Sequence, residues 1–493
     1  MFLFFVTPAS YAQPLLETDD LSLSMHTYLR NDLVTFNNVV DLDNKNKDDS
    51  TVYFGIDYSL GFNLDIKNDG PKFYLKLERN GPYDYDAPLF IHNTLMTSGG
   101  VIERYRNEEL LPELEEFWMD SPLFKDFRVK LGLYPYIAGN GFCLNGGYEN
   151  LGLTLSRESE NFCWRFYYCR PDLNHKYRLG PPIRQEKEQG ILYEPNAANF
   201  FATDAKFKIG ENSLQPYLGA LVDYTPPDKR DNIFSAPIKR DILGTIGFAW
   251  NRKLNDLTLN FETAHNFGMA RSGSAEFKDV YHTGYLIYSG IDYKIKKLKP
   301  SLKFLVCSGN KVTTDMAQDE TLTSGKNRAF SYFSPLNKNL GDAISSSNAD
   351  MLPIVAMGGG YGLNYGVPRP KTFSVGDFEN LIMPSIGFDY QATEKLSVGL
   401  YEYYLSAFER GVGMFEEEAK YLSRDLGFET DLFIDYKINE NILLSLLGGY
   451  FLPGKFYKEH RTDTEGSLLT PFVRGDGLAN PAFQVELALE FQF

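Results

Sequence analysis

Residues Phe483 to Phe493 read FQVELALEFQF. Phe483, Val485, Leu487, Leu489, Phe491 and Phe493 fall on one side of an extended chain, and Gln484, Glu486, Ala488, Glu490 and Gln492 on the other. Successive side chains of a strand point to opposite faces, so this segment is a strand with one apolar and one polar face. A helix would scatter both sets around its axis. Such a strand needs an apolar surround on one side and a polar one on the other, and the rest of the chain must build the sheet that separates them.

The alternation recurs along the 493 residues. Leu21 to Arg30, Val52 to Ile66, Lys72 to Arg79, Glu115 to Met119, Phe127 to Tyr134, Glu149 to Ser156, Phe162 to Cys169, Ala202 to Ile209 and Leu214 to Tyr224 show it in the first half. Asp241 to Trp250, Asp256 to Asn266, His282 to Ile295, Ser301 to Cys307, Leu381 to Gln391, Lys395 to Phe408, Asp425 to Lys437 and Asn441 to Phe451 follow before the closing segment. Clusters of Asn, Asp, Gly and Pro separate them. Lys67-Asn68-Asp69-Gly70 reads as a hairpin turn, Ser121-Pro122 as another, and Val101 to Leu111 as a short helix. Met357 to Gly366 is too glycine-rich to assign, and Ile354 to Tyr365 stands as an optional extra strand beyond about eighteen.

The expectation is all-β: one transmembrane antiparallel β-barrel of about eighteen strands spanning residues 13–493, with short periplasmic turns and long extracellular loops. Turns such as 391–394 and 438–441 belong on the periplasmic side. The connections 41–50, 81–112, 170–200, 226–240, 409–423 and 453–480 belong outside. The polar stretch 311–351 is too long for an ordinary connection and reads as an external loop or a lumen constriction.

Composition agrees. Hydrophobic residues make up 43% at a mean hydropathy of −0.31, and no apolar run reaches the length of a spanning helix. A barrel hides its apolar residues by alternation, so a bland average fits it. The 32 Tyr and 38 Phe suit strand faces and interfacial girdles. A net charge of −16 disfavours nucleic acid as a partner, because phosphate binding needs a positive field. Residues 1–12, MFLFFVTPASYA, read as the end of a secretory signal with a small-x-small site at Ser10-Tyr11-Ala12. Cys143, Cys163, Cys169 and Cys307 show neither metal spacing nor a disulfide framework.

If the apolar set of every strand meets lipid, the polar set lines a lumen. Its basic members are Arg30, Lys76, Arg128, Lys130, Arg165, Lys206, Lys208 and Lys303. Its acidic members are Glu262, Asp389, Glu429, Asp431, Asp435, Glu486 and Glu490. Apart from Lys303, which follows Glu262, the basic residues come from the first part of the chain and the acidic ones from the second, which predicts opposed charge walls and a transverse field across a conduit. No GxSxG, HExxH or P-loop is present, and none of the six histidines sits in a nucleophile motif, so the reading is not enzymatic and calls for no cofactor or metal. A Ser/His barrel hydrolase and an adhesin are the alternatives of another class.

The closing strand resembles the C-terminal signature of bacterial outer-membrane barrels. That resemblance implies location in the outer membrane, lipid and lipopolysaccharide as surroundings, and Phe491 and Phe493 as the signal read by barrel-assembly machinery. Leu426 to Tyr457 resembles the penultimate hairpin of the alginate-export porin family. Leu426, Gly427, Glu429, Asp431, Leu432 and Tyr436 match its first strand, and Gly449, Phe451, Pro453, Gly454 and Phe456 match its exit. Glu115 to Tyr134 is similar to another hairpin of that family, but Leu131-Gly132-Leu133-Tyr134 lacks the arginine of its Leu-Gly-Arg-Gln ending. The resemblance implies an eighteen-stranded porin conducting an anionic polysaccharide through an arginine-lined pore. The missing arginine and the acidic half of the lumen set against a polyuronate cargo, and a general small-solute porin is the alternative.

Overall fold

The computed structural model describes residues 13–37, 51–79, 113–146, 151–170, 198–224, 238–273, 275, 278–311, 324–330, 380–415, 418–459 and 479–493. The barrel strands are β1 (Leu21–Asn37), β2 (Thr51–Ile66), β3 (Lys72–Arg79), β4 (Glu113–Phe124), β5 (Phe127–Leu133), β6 (Leu151–Ser159), β7 (Phe162–Cys169), β8 (Ala198–Ile209) and β9 (Asn212–Asp223). The second half contributes β10 (Ile238–Leu254), β11 (Leu257–Ser272), β12 (Tyr285–Tyr293), β13 (Leu298–Cys307), β14 (Leu381–Gln391), β15 (Leu396–Ala407), β16 (Asp425–Asn439), β17 (Ile442–Pro453) and β18 (Ala482–Gln492). Each pairs antiparallel with the next, and β18 pairs with β1 from Tyr28↔Gln492 to Asn37↔Phe483. The sheet is therefore a closed barrel of eighteen strands with no free edge.

Three short pieces hang on the ring. Gln13–Glu17 pairs with β1 between Gln13↔Met25 and Glu17↔Ser22, in line with the point where the pairing of β18 runs out at Thr27. Val280–His282 pairs with β11, and Lys326–Asn327 lies parallel to it.

Alternation decides which way each strand faces. Leu29, Leu33, Phe117, Ile246, Leu302 and Ile386 stand exposed on the outer face. Their strand neighbours Arg30, Asp32, Thr245, Lys303 and Ser385 are buried on the inner one. An apolar exterior on a sheet closed on itself is what a bilayer requires, since the backbone ladder runs round the ring without an open edge. Tyr293, Tyr390 and Tyr436 stand exposed within a few residues of the short turns, where a membrane boundary accommodates an aromatic with a polar tip. No helix among the described residues is long and apolar enough to cross a membrane.

Lys72–Arg79, Phe162–Cys169 and Leu381–Gln391 match the expected strands residue for residue. One expectation changes. Ser121-Pro122 is not a turn: β4 runs on to Phe124, and the reversal is at Lys125 and Asp126, with Lys125 at φ 47°. Pro122 sits two residues from the strand end beside a register shift, where losing one ladder bond costs little. Of the 311–351 stretch, Lys311 and residues 324–330 are described; Lys326–Asn327 pairs with Val280–His282, and the Phe330 N–H donates to the Ser308 carbonyl at 3.0 Å. Val101–Leu111 and Ile354–Tyr365 lie outside the described residues.

Candidate channel interior

The connection from β5 to β6 does not stay at the rim. Tyr136–Ala138 and Leu144–Gly146 form a small hairpin inside the ring, with Tyr136, Ala138, Phe142, Cys143 and Leu144 all buried. Its anchors lie on distant strands. Tyr136 Oη donates to Asp204 on β8 at 2.6 Å, and Arg165 Nη2 on β7 donates to the Ile137 carbonyl at 2.7 Å. The Asn140 backbone N–H donates to Glu262 Oε2 on β11 at 2.5 Å, and Tyr217 Oη on β9 donates to Glu262 Oε1 at 2.7 Å. Phe142 packs on Tyr288 of β12 with centroids 4.4 Å apart. The hairpin thus spans the inner wall from β5 to β12 and narrows the barrel on that side.

The local sequence explains why it folds inward. Tyr134-Pro135-Tyr136-Ile137-Ala138 and Phe142-Cys143-Leu144 carry apolar and aromatic bulk that an exposed loop would leave in water. Gly139 turns between them at φ +67°, and a Cβ there would come within 2.9 Å of both Glu262 and Tyr217. Cys143 is enclosed beside Glu262, and burial pushes its thiol above the ordinary range, so it stays neutral. A second inward piece is tied down by a polar chain in which His282 Nε2 meets Asp241 Oδ1 at 2.8 Å. That chain continues through Asn327 (Nδ2 to His282 Nδ1, 3.3 Å) to Asn310, whose Nδ2 donates to Asn327 Oδ1 at 2.9 Å.

The charged residues expected inside are distributed differently from two opposed walls. Arg30 on β1 is buried and bonded to Asp32 at 2.5 Å and to both Glu486 and Glu490 on β18, because ring closure makes the first and last strands neighbours. Lys76 pairs with Glu78, Arg128 with Asp120 at 2.8 Å, and Arg165 with Asp204 at 3.0 Å. Lys303 is buried, with its Nζ 5.9 Å from the Tyr401 ring centroid. Asp389 accepts from Tyr401 Oη at 2.5 Å and pairs with Lys299. Asp435 accepts from Ser445 Oγ at 2.7 Å, while Glu429 and Asp431 are fully buried. Lys206 is half-buried, and Lys208 lies exposed at the foot of β8.

Acids and bases therefore interleave, and the charge-wall expectation is corrected. The missed partners Asp32, Glu78, Asp120 and Asp204 share faces with the residues singled out. Arg30 and Asp32, Lys76 and Glu78, and Lys206 and Asp204 are each two apart, so period two alone could have found them. Lys130 differs: its ammonium lies 3.8 Å from the Trp118 ring centroid and 4.4 Å from that of Tyr134, with no ion pair among the described residues. Tyr74 continues this row from Trp118, 5.4 Å between centroids, to His26 at 5.7 Å.

No family model matches the chain, and no curated protein matches it. Among solved structures it is similar to Acinetobacter baumannii OccAB2, with a TM-score of 0.51 at 11% identity over 96% of this chain and 98% of that one. The fold is that of an outer-membrane porin. A BenF-like porin from Pseudomonas fluorescens Pf-5 (TM-score 0.49, 9% identity) and Pseudomonas aeruginosa OpdK (0.47, 9%) align over the same shares, 96% and 98%. The barrel thus has the expected architecture.

The narrower resemblance to alginate-export porins gains no support from these comparisons. Local geometry accounts for the matching residues. Gly427, at φ +131°, lets β16 approach β17 so closely that a Cβ would meet the Leu452 carbonyl at 2.2 Å. Gly454 N–H donates to the Leu426 carbonyl at 2.9 Å, launching the helical turn Lys455–Glu459 that buries Phe456 and Tyr457. The motif shapes a strand exit at the barrel rim.

Proposed function

We propose that the chain is a passive outer-membrane channel for small hydrophilic solutes. The observation that carries this reading is the hairpin at Tyr136–Gly146, bonded across the inner wall by Glu262, Asp204 and Arg165. A narrowed barrel passes molecules by size and by the polarity of its lining. In this reading Arg30, Lys76, Arg128, Lys130, Arg165, Lys206, Lys208 and Lys303, with Glu262, Asp389, Glu429, Asp431, Asp435, Glu486 and Glu490, belong to the lining. Interleaved and mutually paired charges favour weak ion selectivity over an uninterrupted basic track for a polyanion. The surroundings are outer-membrane lipid and lipopolysaccharide, and the closing strand with Phe491 and Phe493 is the segment offered to barrel-assembly machinery.

The test is single-channel conductance of the refolded protein in planar bilayers, followed by liposome swelling with sugars and amino acids of increasing size. Discrete open channels with modest selectivity, a size cut-off and indifference to added polyuronate are expected. Silent bilayers overturn the channel. Block by micromolar polyuronate overturns the small-solute reading in favour of polysaccharide passage.

A further inference from the structure

A row of rings crosses the inner wall from the first strand to the inward hairpin. His26 on β1 meets Tyr74 on β3 through Nε2 and Oη at 3.1 Å, and Tyr74 packs on Trp118 of β4 with centroids 5.4 Å apart. The Lys130 ammonium of β5 lies over both Trp118 and Tyr134. Tyr134 meets Tyr167 of β7 edge to face at 5.9 Å, and Tyr167 stacks on Tyr136 of the hairpin at 4.7 Å. His26, Trp118 and Lys130 are half-buried, whereas Tyr74 and Tyr134 are buried. Tyr74 is the third residue of β3 and Lys130 the fourth of β5, so this end of the row stands just inside the short turns.

Two glycines make room for it. Gly61 on β2 lies opposite His26, and a Cβ there would collide with the imidazole; a Cβ on Gly152 of β6 would collide with the Tyr167 ring. The rings fill space that side chains of the intervening strands would take, and so rest against the wall.

Charge does not select an ion here. Lys76 pairs with Glu78 and Arg128 with Asp120, while Glu116 accepts from Trp118 Nε1 at 3.3 Å and Lys130 rests on the rings. Positive and negative groups interleave around an aromatic surface bordered by both donors and acceptors. A pyranose needs that combination. One side of its ring presents polarised C–H groups, which the negative face of an aromatic attracts, and its rim carries hydroxyls that both donate and accept. We infer that the row from His26 to Lys130 is a binding station for neutral sugar rings, on the periplasmic side of the hairpin. The inference rests on the channel reading above for the solute's path. Lys130 is the placeholder of the empty station. Its contact with the indole is a weak one at a part-exposed site, and its four-carbon stem lets the ammonium slide aside and donate to a hydroxyl when a sugar covers Trp118. Loose stacking suits a conduit, where a site must hold a solute briefly and release it.

The first experiment records single channels of the refolded protein with maltotriose on either side. Brief, concentration-dependent interruptions at millimolar sugar are expected, and none with sorbitol, which has the hydroxyls without the ring. Trp118→Ala should weaken this block about tenfold or more. Trp250→Phe, on the lipid-facing wall, should leave it unchanged. Open channels that maltotriose never interrupts, or interrupts equally in Trp118→Ala, overturn the station and leave the small-solute channel standing. The second experiment does not depend on conduction. With Trp164→Phe and Trp250→Phe combined, Trp118 is the one tryptophan left. Its emission in refolded protein should shift saturably with maltotriose and stay put with sorbitol. A flat titration overturns the station. A saturable shift in a protein whose bilayers are silent supports the station and overturns the channel reading alone. Heat-modifiable migration checks that each variant is folded.

Discussion

Two buried carboxylate sites in this barrel use opposite chemistry. At the seam between β1 and β18, Glu486 and Glu490 are held by the Arg30 guanidinium, which also takes Asp32. On the facing wall Glu262 is equally buried, but its partners are the neutral Tyr217 hydroxyl and the Asn140 backbone N–H. The first site ties together strands from opposite ends of the sequence, and removing its cation leaves buried negative charge with nothing opposite. The second ties a loop to a wall that already stands. The difference teaches that a buried ion cluster can serve closure of the barrel, while a carboxylate bonded to neutral donors sets the shape of what lies inside.

Arg30→Ala breaks the comparison hardest. Losing one partner of a buried ion cluster costs about 3–5 kcal/mol, and here three carboxylates lose it together. Urea unfolding in lipid vesicles, read by heat-modifiable migration, should show a sharply lowered midpoint. An unchanged midpoint would show that the seam holds by its backbone ladder alone.

Glu262→Gln should leave the barrel midpoint nearly in place while costing about 1–3 kcal/mol at the hairpin, where an amide cannot accept both bonds as the carboxylate does. Single-channel records should then show larger or noisier openings. Gly139→Ala sharpens the same point without touching charge: a side chain at positive φ that also crowds Glu262 costs about 1–3 kcal/mol. It should reproduce the Glu262→Gln records, and normal records from both would separate the hairpin from the conduction path.

The smallest effect is expected from Lys130→Gln. Its cation–π contacts amount to about 0.5–1 kcal/mol, so stability should hardly move. The reversal potential in a salt gradient should shift toward cation preference, since one lumenal positive charge is gone.

Much of the wall was legible because period two is forced wherever one face meets lipid and the other does not. Phe162–Cys169 and Leu381–Gln391 satisfy that condition along their whole length. Strand ends beyond the lipid escape it. β1 runs seven residues past Arg30 through Asn31 and Asp32, and β10 is 17 residues long, beginning before Asp241. The inward hairpin was not legible because strands of three residues carry no usable period. Its signal was compositional: Tyr136, Ile137, Phe142 and Leu144 are too apolar for a loop in water. The charge distribution failed for a topological reason, since residues 30 and 486 are far apart in sequence and adjacent only because the ring closes.

Gln13–Glu17 gives the wall a splice. Where β18 stops pairing at Thr27, this short strand takes over the same flank of β1 from Met25 down to Ser22. A flank left bare there would offer hydrogen-bonding groups to any extended peptide in the periplasm, including the unfolded tail of a sister molecule still awaiting insertion. By laying Gln13–Glu17 along that gap, the chain covers those groups with its own backbone.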